Sequence, residues 1–229
     1  GITLDTGGPC TGMSTVQATD AATSFRCQLA WLGEFNMTVK DATGKQLATL
    51  LINVPAPQVT VSTPQGSFVI ELDVAATQTD VDKFLAYVNA GFYASTLMHR
   101  VEAGVAITGG AYIVSTTTDF SLKTTGLGDG VALQSNNGLK NLRGTVAMVA
   151  DPTATDPAYP VRSQFTINVK DNPDRDYVSD AQPGQAVIGR VVSGMDVVDA
   201  IAALPTRISL AAGGLVPTTN VTLTMSQTK

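Results

Sequence analysis

The chain has 229 residues, 44% of them hydrophobic and 14% charged, with a formal net charge of −5 and a pI near 4.7. That apolar content excludes a disordered chain, and 14 scattered basic residues against 19 acidic ones argue against a nucleic-acid partner, which needs clustered Lys and Arg to neutralise phosphates. The longest apolar run, Leu47 to Val54, is broken by Thr49 and Asn53 and falls short of a bilayer, so a soluble protein with no membrane span is expected.

From Ile2 to Val54 the pattern is that of short strands: Ile2–Leu4, Thr15–Ala18, Ser24–Ala30, Glu34–Lys40 and Gln46–Val54. Phe35, Met37 and Val39 alternate with Asn36, Thr38 and Lys40, which sets three apolar side chains on one strand face. Asp41-Ala42-Thr43-Gly44 has the turn chemistry of a hairpin. Cys10 and Cys27 are the only cysteines, too few for a zinc site; a disulfide in an oxidising compartment is expected, with two buried free thiols as the alternative. Trp31, the single tryptophan, is the expected core anchor. The Thr38-Val39-x-Asp41-x-x-Gly44 hairpin is similar to the later strands of bacterial immunoglobulin-like modules. Residues 1–54 are therefore expected to form a small β-rich module. It is either a minimal immunoglobulin-like sandwich stapled by Cys10 and Cys27 or an extension packed on the rest of the chain.

Pro55-Ala56-Pro57 cannot sit centrally in a ladder and favours extended backbone, so residues 55–57 read as a stiff linker and 58–229 as a second domain. That domain opens with a hairpin, Val59–Val61 and Phe68–Leu72 around Pro64-Gln65-Gly66, with Phe68, Ile70 and Leu72 on one face. Thr79 is placed to cap a helix with Asp80 and Asp82 in its first turn; Val81, Phe84, Leu85 and Val88 form its apolar stripe, and Gly91 ends it. A second helix is predicted from about Met195 to Ala203, with Val198, Ile201 and Ala202 inward and Pro205 as the stop. Gly126 to Gly130 reads as a turn, since no Lys-Ser/Thr comes after it as in a phosphate loop. Asp171, Asp174, Asp176 and Asp180 read as a solvated acidic loop, since the mid-loop glycine and distal glutamate of an EF-hand are missing. No metal or other cofactor is expected.

Gly91 to Gly110, GFYASTLMHRVEAGVAITGG, holds the only histidine, His99, beside Arg100. Thr96-Leu97-Met98 and Val105-Ala106-Ile107 have strand-like content around a turn at Gly104, which puts Arg100 directly after a strand. Three more blocks come in order: Asn137 to Asn141 running into Arg143 to Met148, then Ser163-Gln164-Phe165, then Val187 to Val192 with Gly194 to Val198. Together they resemble the signature of the cyclophilin-type peptidyl-prolyl isomerases, over roughly Val59 to Leu204. The resemblance implies a mainly β fold, a closed eight-stranded antiparallel barrel capped by two α-helices. It also implies isomerisation of X-Pro bonds in a proline-containing peptide or unfolded protein.

Rotation about an X-Pro bond must break amide resonance, a barrier of ~18–20 kcal/mol. A charged donor held against the prolyl nitrogen as it regains its lone pair favours the twisted state over both planar ones, with no nucleophile, metal or cofactor. By its place after His99, Arg100 matches the family's catalytic arginine, Gln164 matches the glutamine that binds substrate backbone, and His99 reads as a buried structural residue. Around them the chain departs from the pattern. The family's F-x-x-Q-G-G is here Val105-Ala106-Ile107-Thr108-Gly109-Gly110, and its S-Q-F-F block ends on Thr166. The family's next aromatic-leucine pair is Asp174-Arg175, and a position often held by His or Tyr is Gln185. Ala106 and Val149 complete the expected substrate-facing set, and the insertion Asp151 to Pro160, with Tyr159, is the expected source of new contacts. Each lost large apolar side chain forfeits ~1–3 kcal/mol of contact. The resemblance thus implies a weak or altered isomerase, with a catalytically impaired peptide-binding or scaffold module as the alternative. A surface rich in Thr, Ser, Gln and Asn, together with the cysteine pair, implies a periplasmic or extracellular bacterial protein.

Overall fold

Two compact units, Gly1–Ala56 and Pro57–Lys229, divide the chain. The computed structural model describes residues 1–7, 10–19, 22–29, 32–115, 119–151, 154–158 and 160–229; the expected core anchor Trp31 and the insertion residue Tyr159 lie outside them.

The first unit contains β1 (Ile2–Asp5), β2 (Cys10–Ala18), β3 (Thr23–Leu29), β4 (Gly33–Asp41) and β5 (Gln46–Val54). They form a three-stranded sheet in the order β1-β4-β5 and a separate β2-β3 ribbon. The β4-β5 turn is held by Asp41, whose Oδ1 accepts hydrogen bonds from the Thr43 and Lys45 amides, while Gly44 takes the left-handed conformation the turn needs. Register pairs Phe35 with Ile52, Met37 with Leu50 and Val39 with Ala48, so these apolar residues share one face. Cys10 and Cys27 are joined across the ribbon with Cα atoms 5.5 Å apart.

The second unit begins with β6 (Gln58–Thr63), β7 (Gly66–Leu72), α1 (Val74–Asn89), β8 (Met98–Glu102), β9 (Ala106–Gly109), β10 (Tyr112–Val114) and β11 (Phe120–Leu122). It continues with β12 (Thr145–Ala150), β13 (Val161–Asn168), β14 (Ala186–Ser193), α2 (Met195–Ala202), β15 (Thr206–Ser209), β16 (Gly214–Pro217) and β17 (Thr224–Gln227). Eight strands form one antiparallel sheet in the order β17-β6-β7-β14-β12-β13-β9-β8. The closed barrel expected from the sequence is not formed: β17 and β8 are edges, and the sheet curls as a half-barrel. Only an isolated bridge, Leu97 with Thr222, and amide bonds such as Leu223 N to Thr96 O, 2.7 Å, span the seam. The reason is local. The chain enters β8 through a run of turns from Ala90 to Ser95, with Ser95 at φ 65°, so no strand length is left there to build a ladder against β17.

Helix α1 starts earlier than the cap at Thr79 predicts. Asp73 caps it by accepting from the Ala76 amide at 3.1 Å, and a break at Thr77 (φ −144°, ψ 50°) interrupts it. The amides of Thr79 and Asp80, exposed by that break, are capped by Gln134 Oε1 at 3.0 and 3.3 Å rather than by a residue of the helix. The predicted stripe holds: Val81, Phe84 and Val88 are buried, with Leu85 packed against them. In α2, Val198, Ile201 and Ala202 are the buried residues, as the periodicity predicts. Both helices pack with Phe68, Ile70 and Leu72 into one core. That core also takes the inward row Val101–Ile107–Ile167–Val146 across β8, β9, β13 and β12.

Candidate active site

Side chains alternate along a strand, so the residues between that inward row must face the other way. Arg100 lies in the middle of β8, not after a strand, and pairs across the sheet with Thr108, which pairs with Thr166, which pairs with Ala147. The neighbouring outward row is Glu102–Ala106–Asn168. Arg100 is thereby mounted on a strand whose next residue, Val101, is fully buried.

The Arg100 side chain is 49% exposed, and its Nε lies 3.2 Å from Glu102 Oε1. Among the described residues none of the Arg100 side-chain nitrogens has a hydrogen-bond partner; the contact to Glu102 is an ion pair. Its stem runs beside Gly214, where an added Cβ would come within 3.7 Å of Cδ. Glu102 is shared: its Oε2 accepts from Arg175 Nη2 at 2.8 Å, and Arg175 is only 12% exposed. The backbone of Arg175 is fixed in turn, its carbonyl accepting from Gln185 N and Asn141 Nδ2, each at 2.9 Å. An asparagine cluster ties this segment to the sheet. Asn172 Nδ2 donates to Val105 O at 3.0 Å and to Asn168 Oδ1 at 2.8 Å, and Asn168 Nδ2 donates to Asn141 Oδ1 at 3.2 Å.

Thr108 and Thr166 are buried and their hydroxyls pair at 2.9 Å. Gln164, two residues along β13 and also buried, is hydrogen-bonded to His99. His99 is buried against the Tyr112 ring, centroids 4.7 Å apart. Burial pushes its pKa down to about 4, and the nearby Arg100 charge works the same way, against opposing hydrogen bonds to Leu97 O and Gln164. It is therefore neutral at physiological pH.

The structure brings Arg100, Thr108 and Thr166 into one row, with Gln164 alongside and Ala106 in the next. Val105 is half-buried in the turn before β9, and Val149 is half-buried at an irregularity in β12. Gln185 is half-buried, and its Oε1 has no partner among the described residues. Asp174 stays exposed on the short turn Pro173–Arg175; its neighbour Arg175 is the one that reaches the site. Sequence reasoning missed Glu102 and Arg175 as a pair. Half of the signal was present, since a carboxylate two residues from an arginine on a strand shares its face. The acidic residues of the 171–180 loop go to separate partners: Asp171 to Arg143 N, Asp176 to Asn141 N, Asp180 to the Tyr177 hydroxyl. Among the described residues no three His, Cys, Asp or Glu groups are placed to hold a metal ion.

The profile of the family described as "Cyclophilin type peptidyl-prolyl cis-trans isomerase/CLD" matches residues 58–225. Peptidyl-prolyl cis-trans isomerase A of Dickeya dadantii is 38% identical over 149 residues, 65% of this chain and 73% of that protein. The Streptomyces antibioticus isomerase cyp18 is 39% identical over 153 residues, 66% of this chain and 86% of that protein. A Cryptosporidium parvum cyclophilin-type isomerase, solved in the presence of the dipeptide Ala-Pro, shares the fold. Its TM-score is 0.58 at 18% identity, covering 75% of this chain and 99% of that one. Sequence and fold thus agree on the unit that carries Arg100: the chain belongs to the cyclophilin-type peptidyl-prolyl cis-trans isomerase family.

Proposed function

We propose that the second unit isomerises X-Pro bonds of extracytoplasmic proteins with weak or altered substrate preference, and that Arg100 is its catalytic residue. The observation that carries this reading is the state of that guanidinium. It is half exposed, ion-paired with Glu102 nearest at Nε, and backed by a strand whose next residue is fully buried, so its Nη donors remain to meet a twisting prolyl nitrogen. Gln164 supplies an amide beside it for substrate backbone. The altered preference comes from the residues that flank them: Val105, Ala106, Thr108, Val149 and Thr166 offer less apolar contact to a proline ring than the aromatic residues of the family pattern, and Asp174 and Gln185 are polar. The location outside the cytoplasm rests on the Cys10–Cys27 bridge. In this reading the first unit, residues 1–54 with the 55–57 linker, is a minimal immunoglobulin-like module carried beside residues 58–229.

One observation favours the second reading, a peptide-binding module with little turnover. The Thr108 and Thr166 hydroxyls satisfy each other in a buried position, leaving no aromatic floor. NMR exchange measurements on a panel of X-Pro peptides separate the two. Arg100→Ala is expected to lower kcat/KM by about 10²–10³-fold, the scale for removing one transition-state donor. Equal rates for wild type and variant would overturn the catalytic assignment, and peptide binding without line exchange would select the binding module.

A further inference from the structure

We propose that Glu102 is a positioning residue for Arg100, itself held in register by Arg175; the inference rests on Arg100 being the catalytic group. An arginine side chain has several freely rotating torsions, and one that is half exposed has no reason to hold a single direction unless something fixes it. Glu102 supplies that constraint. It stands two residues away on the same face of β8, and its Oε1 lies 3.2 Å from Arg100 Nε in an ion pair, at the nitrogen nearest the stem. An ion pair at Nε biases the direction of the guanidinium and leaves both Nη groups farther from the carboxylate than Nε is.

A lone surface ion pair would do this poorly, because both partners wander. Here the carboxylate is pinned from its other side. Arg175, mostly buried, donates to Glu102 Oε2 at 2.8 Å. Its own backbone is held by Asn141 and Gln185, and the adjoining Asn172 is hydrogen-bonded to Val105 and Asn168. The chain of contacts runs from the 172–185 segment through one carboxylate to the catalytic guanidinium. Two arginines share one acid, so removing the Glu102 charge leaves both short of a partner. The arrangement is peculiar to the residues at these three positions: Arg175 stands where the family pattern has leucine.

The test is Glu102→Gln, which keeps the shape and removes the charge. The expected result is a fall in kcat of about 10-fold with KM changed less than about 2-fold, because misdirection of a donor is felt mainly in the transition state. In an Arg100→Ala background the same substitution should have no further effect, whereas a merely structural role would lower both backgrounds equally. Arg175→Met should give a smaller fall, about 3-fold, with the same split. Independently of turnover, the Arg100 Nε resonance should shift in Glu102→Gln, and its relaxation should show a guanidinium that moves more freely than in the wild type. A wild-type rate together with an unchanged Nε resonance and relaxation in Glu102→Gln would overturn the proposal while leaving Arg100 in place. If Arg100→Ala itself were fully active, the isomerase assignment would fall first. Should Glu102→Gln fail to fold, Arg175→Met carries the same two readouts.

Discussion

The two units are built from the same antiparallel hairpins but hold together by different means. Among the described residues of the first unit, Met37 is the only buried hydrophobic side chain, and its cross-strand neighbour Leu50 is 47% exposed. The second unit buries a continuous core from Val59 on β6 to Leu223 beside β17. A unit with so little burial relies on its ladders and on the Cys10–Cys27 link, which shrinks the unfolded ensemble, a contribution of about 3 kcal/mol for a loop of this size. A unit with a full core can devote one sheet face to polar chemistry. Arg100, Thr108, Thr166 and Glu102 each alternate with a buried neighbour that fixes the backbone under them, and nothing comparable backs a polar row among the described residues of the first unit.

The sharpest way to break that contrast is to empty the core of the second unit. Phe165 is fully buried, edge-on to Phe84 and Tyr93 at 5.9 and 5.7 Å. Phe165→Ala should cost ~3–5 kcal/mol in urea unfolding followed on the second unit, with hydrogen exchange in the first unit unchanged. Reduction of the disulfide is the converse experiment. It should destabilise the first unit by about 3 kcal/mol and leave the X-Pro isomerisation rate as it was, since Glu102, Arg175 and the asparagines that support Arg100 all lie in the second unit. A parallel loss of isomerase rate on reduction would show that the units do not hold separately.

What the sequence made legible in the second unit is local. The Phe68–Ile70–Leu72 alternation, the Val81–Phe84–Val88 stripe and the Met195–Ala202 helix between Gly194 and Pro205 are written in short-range periodicity and punctuation, and they are present. The parts misread are non-local. The Thr79 and Asp80 amides exposed by the break in α1 are capped by Gln134, 55 residues away from Thr79, and Arg175 reaches Glu102 across 73 residues. No window of sequence contains both partners. Barrel closure failed for a related reason: it depends on how much strand remains beside the turns before β8, which the apolar content of Thr96-Leu97-Met98 does not reveal. In the first unit alternation in β4 was enough to place its apolar face, but not to say how little of it is buried.

A smaller effect tests the polar face itself. Thr108→Val or Thr166→Val alone leaves the partner hydroxyl buried and unpaired, a cost of ~1–3 kcal/mol. The double variant removes both groups and should be destabilised by less than the sum of the singles, because no orphan remains. Additive losses in thermal unfolding would mean that the two hydroxyls are held by something other than each other.

The smallest expected effect is a cancellation, and pH exposes it. In the first unit Asp5, exposed, and Asp41, half-buried, have depressed pKa values, through hydrogen bonds from Lys40 and Thr43 respectively. Their contribution is present above the ordinary carboxylate pKa and is lost only as pH falls below it. The second unit has depressed carboxylates of its own, Glu71 through the Gln58 hydrogen bond and Asp176 where burial is outweighed by Asn141 hydrogen bonds. It also buries two groups with opposite shifts. Asp80 is raised from 3.8 to about 6 by burial, despite the Gln134 amide on its Oδ2, so it favours folding most below pH 3.8 and that advantage is lost as pH rises through about 6. His99 is lowered from 6.5 to about 4, so its contribution is full above pH 6.5 and is lost as pH falls through about 4. Between those limits acidification gains at Asp80 what it loses at His99, and the urea midpoint of the second unit should stay nearly level. Asp80→Asn removes one side of the balance. Its midpoint, measured at pH 7, 5.5 and 4.5 (conditions chosen to lie across roughly the shifted range), should fall steadily with acid, whatever its absolute value at pH 7. A variant as level as the wild type would mean that Asp80 does not titrate in this window and that the second unit owes its flat profile to something other than two buried, opposed groups.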